Sequence, residues 1–251
     1  MSVSKSNYMI SSVLSINKYI ICLNIFCLFN LLLKLNFFVV LGVFQRLNMK
    51  VFFFFFYFIF GIISSQNYNS YEFFFSKNEL KIANTAKNNT YLKKVEKEVY
   101  FYLNLVRLNP KLFAQTFLEN NKETINCLDN YKSLYEELIN MKPIDPLYFD
   151  KEFYLHAKCH ATESGKKNYI GHNRNNGSGC EPIKSSFSWA ECCYYGNNDP
   201  LSIVIDLLID CNYLGLGHRK IMLSNDFKYM GVYISTHKSF KFNAVLDFRG
   251  E

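Results

Sequence analysis

Gly217-His218-Arg219-Lys220-Ile221-Met222-Leu223, followed by Lys228-Tyr229-Met230-Gly231-Val232, sets one histidine in the first turn of a short helix and leads directly into a strand. Upstream lie possible partners for that histidine: His172 in Gly171-His172-Asn173 and Glu191 in Trp189-Ala190-Glu191. Two imidazoles and a carboxylate, each in a loop or at an element edge, are the raw material of a cation site or an acid/base site. How the rest of the chain folds decides whether they meet.

Apolar periodicity supplies the framework. Val95, Val99, Tyr102, Leu103 and Val106 recur at three- and four-residue intervals and predict one face of a helix, interrupted at Asn109-Pro110. Leu112, Phe113, Thr116 and Phe117 continue an apolar face as a second short helix, and 129–141 reads as a further one ending in the turn at Pro143 to Pro146. Asp150 suits the N-cap of a helix running to about Asn168, with Phe153, Ala157, Ala161 and Ser164 inward. The Asn-, Gly- and Ser-rich stretch 173–188 is a loop, and Asp199-Pro200 starts another helix with Pro in its first turn. Tyr229 to Ser235 and Phe240 to Phe248 are β-branched and aromatic and predict a terminal antiparallel hairpin. Helices around a sheet make an α+β domain.

Charge is distributed unevenly. The first 65 residues hold Lys5, Lys18, Lys34, Arg46 and Lys50 and no acid; setting these five aside from the 28 basic residues leaves 23 against 21 acidic ones. The formal +7 therefore belongs to the leader, and no nucleic-acid partner is expected. Met49-Lys50, the Phe-rich apolar run Val51 to Ile63 and Ser64-Ser65 have the layout of a secretory signal peptide over 49–65. Residues 1–48 then form an apolar upstream extension, with Met49 the expected true start. The alternative is membrane anchorage through 19–44, the one route by which a membrane would be a partner. Residues 66–92 read as a linker or an arm laid on the domain, and 93–250 as the domain itself.

Six cysteines follow the leader: Cys127, Cys159, Cys180, Cys192, Cys193 and Cys211. An even count behind a signal-like segment predicts an oxidising, extracellular setting and up to three disulfides, with 15 possible pairings. Asn88-Asn89-Thr90 and Asn176-Gly177-Ser178 are glycosylation sequons consistent with a secreted glycoprotein.

Other chemistries are weaker. His156 and His160 stand four apart on a helix, as in zinc proteases, but Ala157 occupies the place of the general-base Glu, so a helical pair without catalytic role is the better reading. Cys192-Cys193 beside Glu191 would make a closed zinc site with His218, but disulfides to other cysteines are the preferred expectation. There is no Gly-x-Ser-x-Gly and no phosphate-binding glycine loop.

Taken in order, these segments resemble the CAP superfamily, the cysteine-rich secretory, antigen 5 and pathogenesis-related proteins that share the SCP domain. The resemblance spans roughly Glu96 to Phe248. It is carried by Leu105-Val106-Arg107-Leu108-Asn109-Pro110, the helix with Ala157 and His160, Gly171-His172 with Gly177-Ser178, Trp189-Ala190-Glu191 through Tyr195-Gly196, and Leu208-Ile209-Asp210 leading to Gly217-His218-Arg219-Lys220 and Met230-Gly231-Val232. The first of these segments looks like a branch common in bacteria and protists. The resemblance implies a three-layer α-β-α sandwich with the C-terminal hairpin, and a cleft holding two histidines and two acids. In several members those histidines bind zinc or another divalent cation. His172 and His218 take the metal-ligand places, and Glu191 takes one acidic place. Asp210 is the candidate for the fourth wall of the cleft, with Cys211 standing where a second acid is common. Cys192 and Cys193 replace the Asn and aliphatic residue after the signature Glu, which suggests an extra disulfide near the cleft.

The expectation is a secreted binding or interaction module whose cleft takes a divalent cation or a small apolar ligand. Its partner is an extracellular protein, a lipid or a sterol. Two alternatives stand beside it: a zinc-dependent hydrolase with His172 and His218 as ligands and Glu191 as general base, and a structural surface protein with a vestigial cleft.

Overall fold

The hairpin that closes the chain is the centre of the sheet. In the computed structural model β3 (Phe227–His237) and β4 (Lys241–Gly250) pair antiparallel, β2 (Trp189–Gly196) adds antiparallel to the outer side of β4, and the two-residue β1 (Tyr148–Phe149) pairs parallel with β3. The order is β1-β3-β4-β2. The structure describes residues 74–174, 180, 183, 185–211 and 215–251, all within one compact unit. The expected extension, signal peptide and anchor at 1–65, the sequon residue Asn176 and half of the expected loop at 173–188 lie outside the described residues. No helix among the described residues is long and apolar enough to cross a membrane.

Seven α-helices are described. In chain order they are α1 (Lys77–Ala83), α2 (Lys94–Leu108), α3 (Pro110–Phe113), α4 (Leu128–Asn140), α5 (Lys151–Lys167), α6 (Pro200–Ile209) and α7 (Gly217–Met222). Their starts follow local chemistry. Asp150 accepts from the backbone N–H of Glu152 and Phe153, Asp199 accepts from Ser202 N–H ahead of Pro200, and Asn109 accepts from Leu112 N–H ahead of Pro110. A π-turn over Ala114–Leu118 extends α3. Within the arm ahead of the domain, Ser76 and Glu79 form a capping box on α1, and Phe75, Ala83, Ala86 and Leu92 are buried in the main core. Asn88 is exposed just after it.

The helices cover both faces of the sheet, giving the three-layer α+β sandwich. α5 lies so close on β3 that a Cβ on Gly231 would stand 2.1 Å from Tyr154 N, and one on Gly165 would stand 2.0 Å from Thr236 O. Only a missing side chain permits that approach. The main core of α2, α3, α4, α6 and α7 side chains packs the other face with Cys192, Tyr194, Met230, Val232, Ile234, Leu246 and Phe248. A smaller cluster of Ala157, Ala161, Cys193 and Val245 forms under α5.

Two disulfides are present, Cys127–Cys211 and Cys159–Cys180. Cys192 and Cys193 are buried free thiols, which corrects the expected third disulfide. The reason is the strand: successive side chains on β2 point to opposite faces, so Cys192 enters the main core and Cys193 the small cluster, and neither meets another sulfur.

Candidate metal centre

Two imidazole–carboxylate pairs face each other across a cleft. His172 leaves a loop after α5 and its Nδ1 is 2.9 Å from Glu191 Oε1 on β2. The Glu191 side chain is 3% exposed and the His172 ring 54%, so a buried carboxylate orients a ring at the lip. Arg174 occupies the other oxygen, with Nη2 donating to Glu191 Oε2 at 2.7 Å. Burial opposes ionisation of Glu191, but the His172 hydrogen bond, the nearby His160 and the Arg174 guanidinium outweigh it and hold the acid at about 2.

The second pair sits on the helical side. His218 Nδ1 is 2.9 Å from Asp210 Oδ1, and the His218 backbone N–H donates to Asp210 Oδ2 at 2.9 Å. Asp210 follows α6 in the left-handed conformation, φ 55°, and its place is fixed from several sides. Asn130 Nδ2 donates to the carbonyls of Ile209 and Asp210, Arg219 donates from Nε to Leu208 O at 2.7 Å, and neighbouring Cys211 is bonded to Cys127. Asp210 is thus the acid paired with His218, and its neighbour Cys211 is tied to Cys127.

The two rings lie with centroids 6.5 Å apart, so that an ion about 2 Å from a nitrogen on each reaches both only in a near-linear arrangement, and a tetrahedral ion reaches both once the rings close by about 1 Å. With Nδ1–H given to a carboxylate, a neutral imidazole keeps its lone pair on Nε2, the arrangement typical of metal-ligating histidines. The donor set therefore fits a divalent cation of the zinc type. The adjoining cleft of about 580 Å³ is lined by His218, Asp210, Cys193, Tyr194 and Tyr195 together with Ile125, Ile170, Leu207, Ile209 and Phe240.

Residues that sequence reasoning passed over surround this site. His160, read as half of an idle helical pair, is fully buried, with Nε2 3.0 Å from Gly171 O and Nδ1 without a hydrogen-bond partner. Its partner in spacing, His156, does not join the cleft groups and instead packs edge-on to Phe153. One ligand atom each of His160, Glu191 and Cys193 lie within 4.8 Å of one another, a buried group able to hold a metal ion. Asp247, opposite Glu191 in the β2–β4 register, is buried against that carboxylate. Burial, then the facing Glu191 charge, pushes its pKa well above the usual carboxylate range. A signal for Asp247 did exist: it is the one acid in the apolar run Ala244-Val245-Leu246-Asp247-Phe248.

No curated protein and no solved structure matches this chain. Residues 102–248, more than half of it, match the family model of CAP, the cysteine-rich secretory protein family. The match runs from α2 through β4 and so takes in both imidazole–carboxylate pairs. The chain belongs to the CAP cysteine-rich secretory protein family.

Proposed function

We propose that this chain is an exported CAP-domain binding module, of the branch common in bacteria and protists, whose cleft holds a divalent cation on His172 and His218 beside an apolar wall. The observation that carries this reading is the matched geometry of the two rings: each Nδ1 is 2.9 Å from a buried carboxylate, Glu191 for one and Asp210 for the other. That pairing fixes the tautomer and turns the ligating nitrogen of each ring away from its carboxylate. A bound divalent cation would supply a Lewis-acidic point for an oxygen of the ligand. The protein's own contribution is to hold the rings and to offer Ile125, Ile170, Leu207, Ile209 and Phe240 to an apolar body. Pockets of about 300–1,000 Å³ take small molecules, so a lipid, a sterol or an apolar protein segment fits this cleft. Export is supported by the signal-like 49–65 segment and by two disulfides, which persist in oxidising compartments.

The hydrolase reading is disfavoured by the state of Glu191. A general base works best with a pKa near the operating pH, whereas the His172 hydrogen bond, the nearby His160 and the Arg174 guanidinium, against the opposing effect of burial, hold Glu191 at about 2. Zinc-loaded full chain assayed against a panel of ester and peptide substrates separates the readings. Stoichiometric zinc without turnover is expected. Turnover abolished by both His218→Ala and Glu191→Gln would replace the binding module with a metal-dependent hydrolase, and a chain that takes up neither zinc nor lipid would make the cleft vestigial.

A further inference from the structure

The cluster beneath the cleft has a chemistry of its own. His160 projects from α5, while Glu191 and Cys193 project from the same face of β2, so an imidazole, a carboxylate and a thiol converge between helix and sheet. Their ligand atoms lie within 4.8 Å of one another. Ligands of a tetrahedral zinc-type ion stand about 3.5 Å apart, so a small turn of the His160 ring and the Cys193 side chain closes the set.

As it stands the cluster is poorly satisfied. The Cys193 thiol has two acceptors, Gly171 O and Glu191 Oε1, each at a long 3.7 Å. His160 Nδ1 is buried without a hydrogen-bond partner. Unpartnered buried polar atoms cost about 1–3 kcal/mol each, and they mark space for a missing group. The His160 ring has its other nitrogen, Nε2, on the Gly171 carbonyl, as metal-bound imidazoles commonly do. Cys193 also lines the cleft, which gives an ion a way in.

We propose that His160, Glu191 and Cys193 form a second metal site, selective for a thiophilic dication of the zinc type, lying behind the His172/His218 pair and independent of His218. One thiolate, one imidazole and one carboxylate suit zinc and disfavour the hard ions magnesium and calcium, which require oxygen ligands. Binding releases the Cys193 proton to solvent. Arg174 is on Glu191 Oε2, and Oε1, which holds the His172 ring at 2.9 Å through one lone pair, has its second lone pair for the ion beside Cys193.

Cobalt(II) is the probe, because thiolate ligation gives it a sulfur-to-cobalt charge-transfer band. Titrated without oxygen into the full chain, cobalt is expected to produce that band in the wild type, in His218→Ala and in Cys192→Ala, and to lose it in Cys193→Ser with the circular dichroism unchanged. A folded wild-type chain with no band overturns the site, as does a band that survives Cys193→Ser, vanishes in Cys192→Ala or vanishes in His218→Ala. If Cys193→Ser fails to fold, His160→Gln decides: cobalt affinity at least tenfold weaker supports the site, and unchanged affinity removes it. Failure of the outer pair reads differently, as a thiolate band that is present with a metal stoichiometry that His218→Ala leaves unaltered.

Discussion

Two sets of buried polar groups lie in this domain, and they are satisfied very differently. Arg107, fully buried on α2, donates from Nε to Asp145 O, from Nη1 to Met222 O and Ser224 O, and from Nη2 to Phe227 O, at 2.8 to 3.0 Å. Burial lowers its pKa to about 10, with Asp145 opposing the drop, so it stays charged at neutral pH. It ties α2, the segment leading to β1, the end of α7 and the start of β3 into one body. The Glu191 cluster, by contrast, leaves His160 Nδ1 without a partner and sets the Asp247 carboxyl against that of Glu191. Full satisfaction identifies a strut, whereas partial satisfaction in an equally buried place identifies a site.

The largest effect expected from that contrast is at the strut. Arg107→Met keeps the apolar stem but strands four carbonyls, and stranded buried groups cost about 1–3 kcal/mol each. Urea denaturation of the full chain is expected to show a loss of at least about 3 kcal/mol, or no folded baseline at all. A change under about 1 kcal/mol would mean that the carbonyls find other partners and that Arg107 is no strut.

The smallest effect is expected in the cluster. Asp247→Asn keeps the shape of the side chain and replaces a group that burial and Glu191 hold uncharged by another uncharged one that can still donate to Glu191. Stability is expected to stay within about 1 kcal/mol of wild type or to rise. A loss above about 2 kcal/mol would place Asp247 among the struts and break the contrast.

Much of the frame could be read from local chemistry. The helix over Lys94–Leu108, its break at Asn109-Pro110, the caps at Asp150 and Asp199 and the terminal hairpin follow from periodicity, capping and turn residues, which act over a few positions. β2 was not legible because residues 191–194 are buried in succession, with no apolar–polar alternation to mark a strand. That omission hid the rest: only a strand separates Cys192 from Cys193 by face, sets Glu191 opposite Asp247 and brings Cys193 to His160. His172, Glu191 and His218 could be named because their segments resemble a family. Asp210 could be assigned only once Cys211 was seen bonded to Cys127, since a sequence does not say which of two neighbours faces the cleft.

The central claim is that buried carboxylates orient two imidazoles to hold one divalent cation, and calorimetric titration of zinc into the full chain tests it most directly. A Cys193→Ser background removes the thiolate site and isolates the outer pair. One zinc per chain is expected there, with affinity weakened about 10- to 100-fold by Asp210→Asn, which acts through the hydrogen bonds that Asp210 makes to the ring and backbone of His218, and lost by His218→Ala. Zinc affinity unchanged in both variants would contradict the account.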